Sequence, residues 1–199
     1  MKVLQILPQL NIGGVERGTL DLSKELTKRG YESFVISGGG ILVNELIKSG
    51  TKHYEIPLHI KSLRTLSLAK SLSETIFSID PDIVHVRSRM PAWVNFRAFK
   101  MLQKKPLLVS TFHGLYSFPI YSKVMSFVDH SIAISKTVES YMLENYKLTE
   151  SDITVIPRGC DPTEFNNDPI NPDDKAKIFS EFPRISKKKI LTIPGRITK

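Results

Sequence analysis

Short apolar runs alternate with helix-period stretches along nearly the whole chain, and that alternation limits the fold more than any single motif. Strand-sized runs separated by helix-sized segments are too far apart for hairpins. They pair in parallel, joined by crossover helices that cover both faces of the sheet. "KVLQIL" reads as the first strand, and Val15 to Arg29 as a helix with Thr19, Leu22 and Leu26 on one face and Gly30 as its stop. "YESFVIS" is a second strand, followed by "GGG" and a helix from Ile41 to Lys48, and "HYEIP" is a short third strand. Leu63 to Ile79 carries Leu68, Leu72, Thr75, Ile76 and Ile79 at helical spacing, ended by the turn residues "DPD". "IVHV", "LLVSTF", "HSIAIS" and "ITVIP" complete the strands, with helices at Ala92 to Leu102 and Lys136 to Tyr146. The expected fold is a doubly wound α/β sheet, whose ligands bind where strands emerge into loops at their C-terminal ends.

The first such loop is "LPQLNIGGVERGTL", with Gly13 and Gly14 adjacent where strand gives way to helix. Two readings stand. The free amides and positive end of a helix attract phosphate, and glycine lets it come close; or the turn itself needs glycine geometry. A nicotinamide-type fingerprint requires G-x-G-x-x-G and an acid at the end of strand two. Here the glycines are Gly13, Gly14 and Gly18 and strand two ends Ser37-Gly38, so no acid awaits a ribose.

The net charge of +8 is concentrated at one end, because Lys187 to Lys199 holds five basic and no acidic residues. That clustering, without aromatic-interleaved basic motifs, speaks against a nucleic-acid partner. The single cysteine, Cys160, excludes an intrachain disulfide and fits a reducing cytoplasm. With no base beside it in the sequence, it reads as buried filler rather than a nucleophile. The opening residues are too polar for a signal peptide, and no apolar run reaches membrane-spanning length, so membrane contact would be peripheral. Lys61, Arg64 and Lys70 could face anionic lipid, or simply form a solvated face.

Past "RGCDPTEF" the chain changes character. "NNDPINPDD" reads as a linker, a helix follows from Lys175 to Phe182, and "KKKILTIPGRITK" begins a strand. A lone strand cannot bury its faces, so the expected organisation is a first domain over 1–166, a linker and helix over 167–187, and the first strand of a second domain over 188–199. The chain is thus expected to be the N-terminal piece of a longer protein.

Six segments, "GGVERGTLDLSKELTKRGYESFVIS", "PDIVHVRSRMPAW", "STFHGLY", "VDHSIAIS", "VIPRGCDPTEF" and "TIPGR", occur in register along nearly the whole chain. Together they resemble the family 4 retaining glycosyltransferases, two-domain enzymes of the GT-B architecture that use nucleotide-diphosphate sugars. The resemblance implies a Rossmann-like acceptor-side domain and transfer of a hexosyl-type sugar, with retention, to a cell-envelope glycan or lipid-linked acceptor. "RSRMPAW" and "TFHGLY" are most similar to members that build lipopolysaccharide. The implied location is the cytoplasm, peripheral on the membrane face. No cofactor or metal is implied; the nucleotide sugar is a co-substrate. His53, His59 and His130 also lack metal-ligand spacing.

The resemblance carries over residue by residue. Gly13 and Gly14 match the loop facing the donor diphosphate and acceptor, Gly195 and Arg196 match the donor-diphosphate site, and His113 matches the histidine beside the transferring sugar. A histidine just past a strand can hydrogen-bond a sugar hydroxyl or stabilise developing charge; it can also be structural. His85, inside a strand, reads as structural. Arg87, Ser88 and Arg89 follow the fourth strand, where guanidinium groups suit an anionic acceptor or are solvated loop charges. Trp93 reads as groove lining or core. Glu16 reads as a helix-end residue complementing the dipole. Arg158, Gly159 and Asp161 match the interdomain loop, although the family usually has Asn where Arg158 stands. The lysine that normally follows the family arginine is not matched by Lys199, which is too close. The glutamate-bearing donor motif belongs further downstream. Two alternatives remain: a non-catalytic glycan- or partner-binding module, and a nicotinamide-dependent oxidoreductase, which the end of strand two disfavours.

Overall fold

In the computed structural model of the chain, the seven apolar runs become seven strands of one parallel sheet. The structure describes residues 1–60, 62–117, 119–159, 162, 168–185 and 188–191. The strands are β1 (Lys2–Ile6), β2 (Glu32–Ser37), β3 (Lys52–Glu55), β4 (Ile83–Val86), β5 (Leu107–Phe112), β6 (His130–Ala133) and β7 (Ile153–Val155). They lie in the order β3-β2-β1-β4-β5-β6-β7. The chain first builds outward from β1 in one direction and then, from β4, in the other. The reversal leaves a crevice above the C-terminal ends of β1 and β4.

Between the strands run α1 (Gly14–Lys28), α2 (Val43–Lys48), α3 (Ala69–Ile79), α4 (Arg89–Phe99), α5 (Pro119–Ser122) and α6 (Lys136–Asn145). Alternate strand residues enter separate cores. Leu4, Ile6, Phe34, Ile36, Val84 and Val86 join the larger cluster, with Leu72 and Ile76 of α3 and Val94 of α4. Val35 faces the other way, into a cluster with Leu20 of α1 and Leu46 of α2. Burial on both faces explains why the strands read as near-continuous apolar runs.

The starts of α3 and α4 differ from the sequence expectation for physical reasons. The segment expected as one helix from Leu63 is a 3-10 turn over Leu63–Leu68, then α3; Ser62 Oγ accepts from the Arg64 amide at 3.2 Å. α3 ends at Asp80 in the left-handed conformation (φ 47°), as the "DPD" turn suggested. α4 starts three residues before the expected Ala92, because Pro91 falls in the first turn, where its missing N–H has no helical partner to lose. α5 and the 3-10 turn over Lys123–Ser126 were not expected at all.

The chain forms two compact units, Met1–Arg158 and Gly159–Lys199. Within the second, α7 (Pro172–Glu181) begins with Asn171, whose side chain accepts from the Asp173 amide at 3.0 Å, and has Pro172 as its first residue. Of the expected strand starting at residue 188, residues 192–199 lie outside the described residues. Among the described residues no helix is long and apolar enough to cross a membrane.

Candidate functional site

The crevice is walled by a polar stripe on one face of the sheet. Side chains two residues apart on a strand share a face, so His85 and Arg87 project from β4 and its end on the same side, as do Thr111 and His113 on β5. Gln5, opposite His85 in the β1–β4 register, continues the stripe. Gln5 is fully buried and saturated: its Nε2 donates to the Thr19 carbonyl (3.2 Å) and Ser23 Oγ (2.9 Å) of α1, and its Oε1 accepts from Arg87 Nη1 (2.7 Å).

Arg87 is therefore not a solvated loop charge. It is only 6% exposed, and its Nε has no partner among the described residues. Burial, then the nearby Arg158 charge, lowers its pKa to about 10. A cation held this dry with an open donor has the chemistry to receive an anion.

His113, just past β5, lies in the same cluster. Its Nδ1 is 3.3 Å from Arg158 Nη2, and its Nε2 is buried without a partner among the described residues. Burial first, then Arg87 and Arg158, lowers its pKa to about 3, so the ring is neutral at any physiological pH. His85 is the structural histidine expected: it is buried, with Nε2 2.7 Å from Thr111 Oγ1. His53 and His130 likewise face hydroxyls, of Ser37 and Thr154, both at 2.8 Å.

The paired glycines differ from the turn-only expectation. Gly13 caps α1 with φ 174°, extended backbone open to any residue, and Gly14 is the first helical residue; neither lies in the left-handed region. The turn does not need glycine. A Cβ on Gly14 would meet nothing nearer than Arg158 at 3.8 Å, whereas a Cβ on Gly13 would collide with the Glu16 carboxylate, which folds back over the turn. The "GGG" run does need it: Gly39 and Gly40 have φ of 77° and 138°, and a Cβ on Gly40 would collide with the Leu10 backbone. This second loop braces the first through Gly38 N to Pro8 O (2.8 Å) and Leu10 N to Gly39 O (2.7 Å).

Arg89, on the same short loop as buried Arg87, has a different setting. It lies against the faces of Tyr116 (4.9 Å) and Tyr121 (5.5 Å) and forms one wall of a pocket of about 710 Å³. Pro8, Leu58, Leu66, Met90, Trp93 and Tyr121 supply most of the apolar lining, and Ser88 is at its edge. Trp93 serves as both groove and core: it stacks on Tyr121 and donates from Nε1 to the Tyr121 carbonyl at 3.0 Å. Ser88 is the N-cap of α4. Glu16 lies in the first turn of α1, and Arg17 is on the outer surface, facing Glu45 at 3.6 Å. Arg64 and Lys70 are exposed. The expectations for Lys61, Cys160, Asp161, Gly195 and Arg196 fall outside the described residues. Gly159 begins the second unit.

Sequence reasoning missed the reach of Arg158. Its Nη1 donates to the Gly14 carbonyl, 144 residues away in the chain, while Nη2 faces His113. The one signal was the departure itself: an arginine where the resemblance leads one to expect asparagine.

The sequence profile of Glycosyltransferase Family 4 matches residues 12–164. The chain belongs to that family. A crystal structure of a glycosyltransferase from Rickettsia africae is 36% identical, with a TM-score of 0.80 over all of this chain and 53% of that one. One subunit of the human phosphatidylinositol N-acetylglucosaminyltransferase is 27% identical over 94% of this chain and 42% of its own length. Anabaena HepE, solved in complex with UDP-glucose, shares the fold at 17% identity, with a TM-score of 0.69 over 94% of this chain and half of that one. The chain spans about half the length of the relatives it matches. The sheet order and helix layers are those of a Rossmann-like, GT-B-type domain, as the family 4 resemblance implied.

Proposed function

We propose that this family 4 domain is the acceptor-side half of an enzyme that transfers a sugar from a nucleotide-diphosphate donor to a glycan or lipid-linked acceptor, with retention. The observation that carries the reading is the convergence, at the switch point of the sheet, of two buried nitrogens without partners among the described residues: His113 Nε2 and Arg87 Nε. A neutral imidazole donating from Nε2 suits a sugar hydroxyl. The buried guanidinium and the N-terminal end of α1, once the Glu16 side chain swings aside, suit the negative charge that grows on a departing diphosphate.

In this reading the donor's diphosphate lies over Gly13 and Gly14, its sugar lies beside His113, and the acceptor enters from the pocket between Arg89 and Trp93. An apolar pocket with one arginine suits an acceptor that is greasy at one end and anionic near the other. Exposed Ile60 and Ile120 are compatible with a protein working peripherally on a membrane. The family resemblance assigns the donor diphosphate to Arg196 as well, with Gly195 beside it. Charge neutralisation by these cationic groups leaves no step that requires a metal.

The test uses the complete two-domain protein with a panel of nucleotide sugars and membrane extracts as acceptor source. Transfer should be detected by product mass, and His113→Ala should lower kcat by about a hundredfold or more while the protein stays folded. Unaltered turnover in that variant would overturn the reading.

A further inference from the structure

We propose that Arg158 is a positioning residue: it straps the Gly13–Gly14 turn to the His113 ring, fixes which ring nitrogen carries the proton, and so aims Nε2–H into the crevice. The inference rests on the reading of His113 as the sugar-facing group, but its test does not. Arg158 follows closely on the end of β7, and its guanidinium contacts two elements at once, Gly14 through Nη1 and His113 through Nη2. Arginine has donors and no acceptor. The nitrogen it faces, Nδ1, must therefore accept, and the single proton of the neutral ring falls on Nε2. That is the atom left buried and unpartnered among the described residues.

The residue beside the guanidinium's path fits the same arrangement. A Cβ on Gly18 would lie 2.8 Å from Arg158 Nη1 and 3.2 Å from its Cζ. Gly18 sits inside α1 and its φ is not positive, so the helix has no conformational use for glycine there. Glycine is among the poorest helix formers. It stands where the guanidinium passes, one helical turn beyond the carbonyl that the guanidinium holds. The Gly14 site, by contrast, leaves a Cβ in ordinary contact at 3.8 Å.

The groups that surround the ring act in the same direction. Arg87 from the end of β4 and Arg158 from beyond β7 both disfavour a second proton on His113. Tyr116 Oη faces the backbone amide of His113 at 3.5 Å rather than the ring. His85, on the neighbouring strand, is held neutral by burial.

The experiment is nitrogen-15 NMR of the histidine side chains of the full chain, followed through a pH titration, for wild type, Arg158→Ala, Arg158→Lys and Gly18→Ala. In the wild type His113 should show an unprotonated, hydrogen-bond-accepting Nδ1 and a protonated Nε2, and should resist protonation to about pH 4. Arg158→Ala should move the Nδ1 resonance toward that of a free acceptor and raise the titration midpoint by about one pH unit. Arg158→Lys, keeping the charge but not the fork, should restore the midpoint more fully than the Nδ1 resonance. Gly18→Ala should reproduce the Nδ1 change without lowering the melting temperature, and should add nothing in the Arg158→Ala background. A wild-type ring protonated on Nδ1 would overturn the proposal. So would His113 resonances that ignore both Arg158→Ala and Gly18→Ala. If the strap is confirmed and His113→Ala still transfers sugar normally, the failure belongs to the glycosyl-transfer reading alone.

Discussion

Gln5 and Arg87, 82 residues apart in the chain, meet 2.7 Å apart under the crevice, and that one contact ties the central strand and α1 to the cation of the site. Replacing Gln5 by Leu would strand a buried guanidinium. Destabilisation of about 3 kcal/mol is expected, read as a lower midpoint in urea. Arg87→Met should cost less, because Gln5 keeps its two bonds to α1, and adding it to Gln5→Leu should recover part of the loss. A strictly additive double mutant would show that the pair is not coupled.

The buried histidines set a pH dependence. His113 has its pKa lowered to about 3 and His85 has its pKa lowered well below the ordinary value, in both cases chiefly by burial. Both bind protons more readily in the unfolded chain. Their contribution to stability is therefore intact above about pH 6.5 and is lost as pH falls from there toward the folded values. Thermal unfolding should shift downward steadily between about pH 7 and pH 4, and His113→Gln should flatten part of that slope. An unchanged slope would mean that the ring takes up protons equally readily in the folded and unfolded chain.

Gly14 separates stability from ligand access. Its backbone suits alanine and a Cβ would find room, so Gly14→Ala should change stability by no more than about 1 kcal/mol, in the favourable direction. In the complete enzyme the same methyl group would stand over the first amides of α1, and kcat/KM for the nucleotide sugar should fall about tenfold or more. Normal donor kinetics would return the glycine pair to a role outside donor binding.

The pocket beside Trp93 predicts a different kinetic signature. Leu66→Trp would fill part of its apolar wall. KM for the acceptor should rise about tenfold with KM for the donor unchanged, the pattern of lost ground-state binding. Equal effects on both substrates would place the acceptor elsewhere.

Chelation makes the simplest check. If cationic side chains such as Arg87 carry the leaving-group charge, transfer by the complete enzyme should persist in excess EDTA. Loss of activity restored by a divalent cation would show that the charge is shared with a metal.

How far the residues announced this arrangement depends on the range of the interactions. β4 and β5 stand where their apolar runs placed them, at Ile83–Val86 and Leu107–Phe112, because strands buried on both faces are legible from local composition alone. His85 was readable as a core group from its place inside a strand. The 3-10 turn before α3 was not, since it shares the helical spacing of the residues that follow. α5 was too short to show a period. Arg87 and Arg89 looked equivalent in "RSRM", yet one is buried against Gln5 and the other packs between two tyrosines; only tertiary partners distinguish them. The role of Gly18 was hidden for the same reason, its neighbour being an arginine at the far end of the first unit.

The placement of β1 has a consequence for synthesis. β1 is flanked by β2 on one side and β4 on the other. As the polypeptide leaves the ribosome, Val3–Ile6 can gain its first neighbour early, but its other edge stays open until residues 83–86 emerge. Throughout that interval a greasy, unpaired ribbon is available to chaperones and to other nascent chains. Slow translation across residues 40–80 should therefore harm yield more than an equal pause after residue 90.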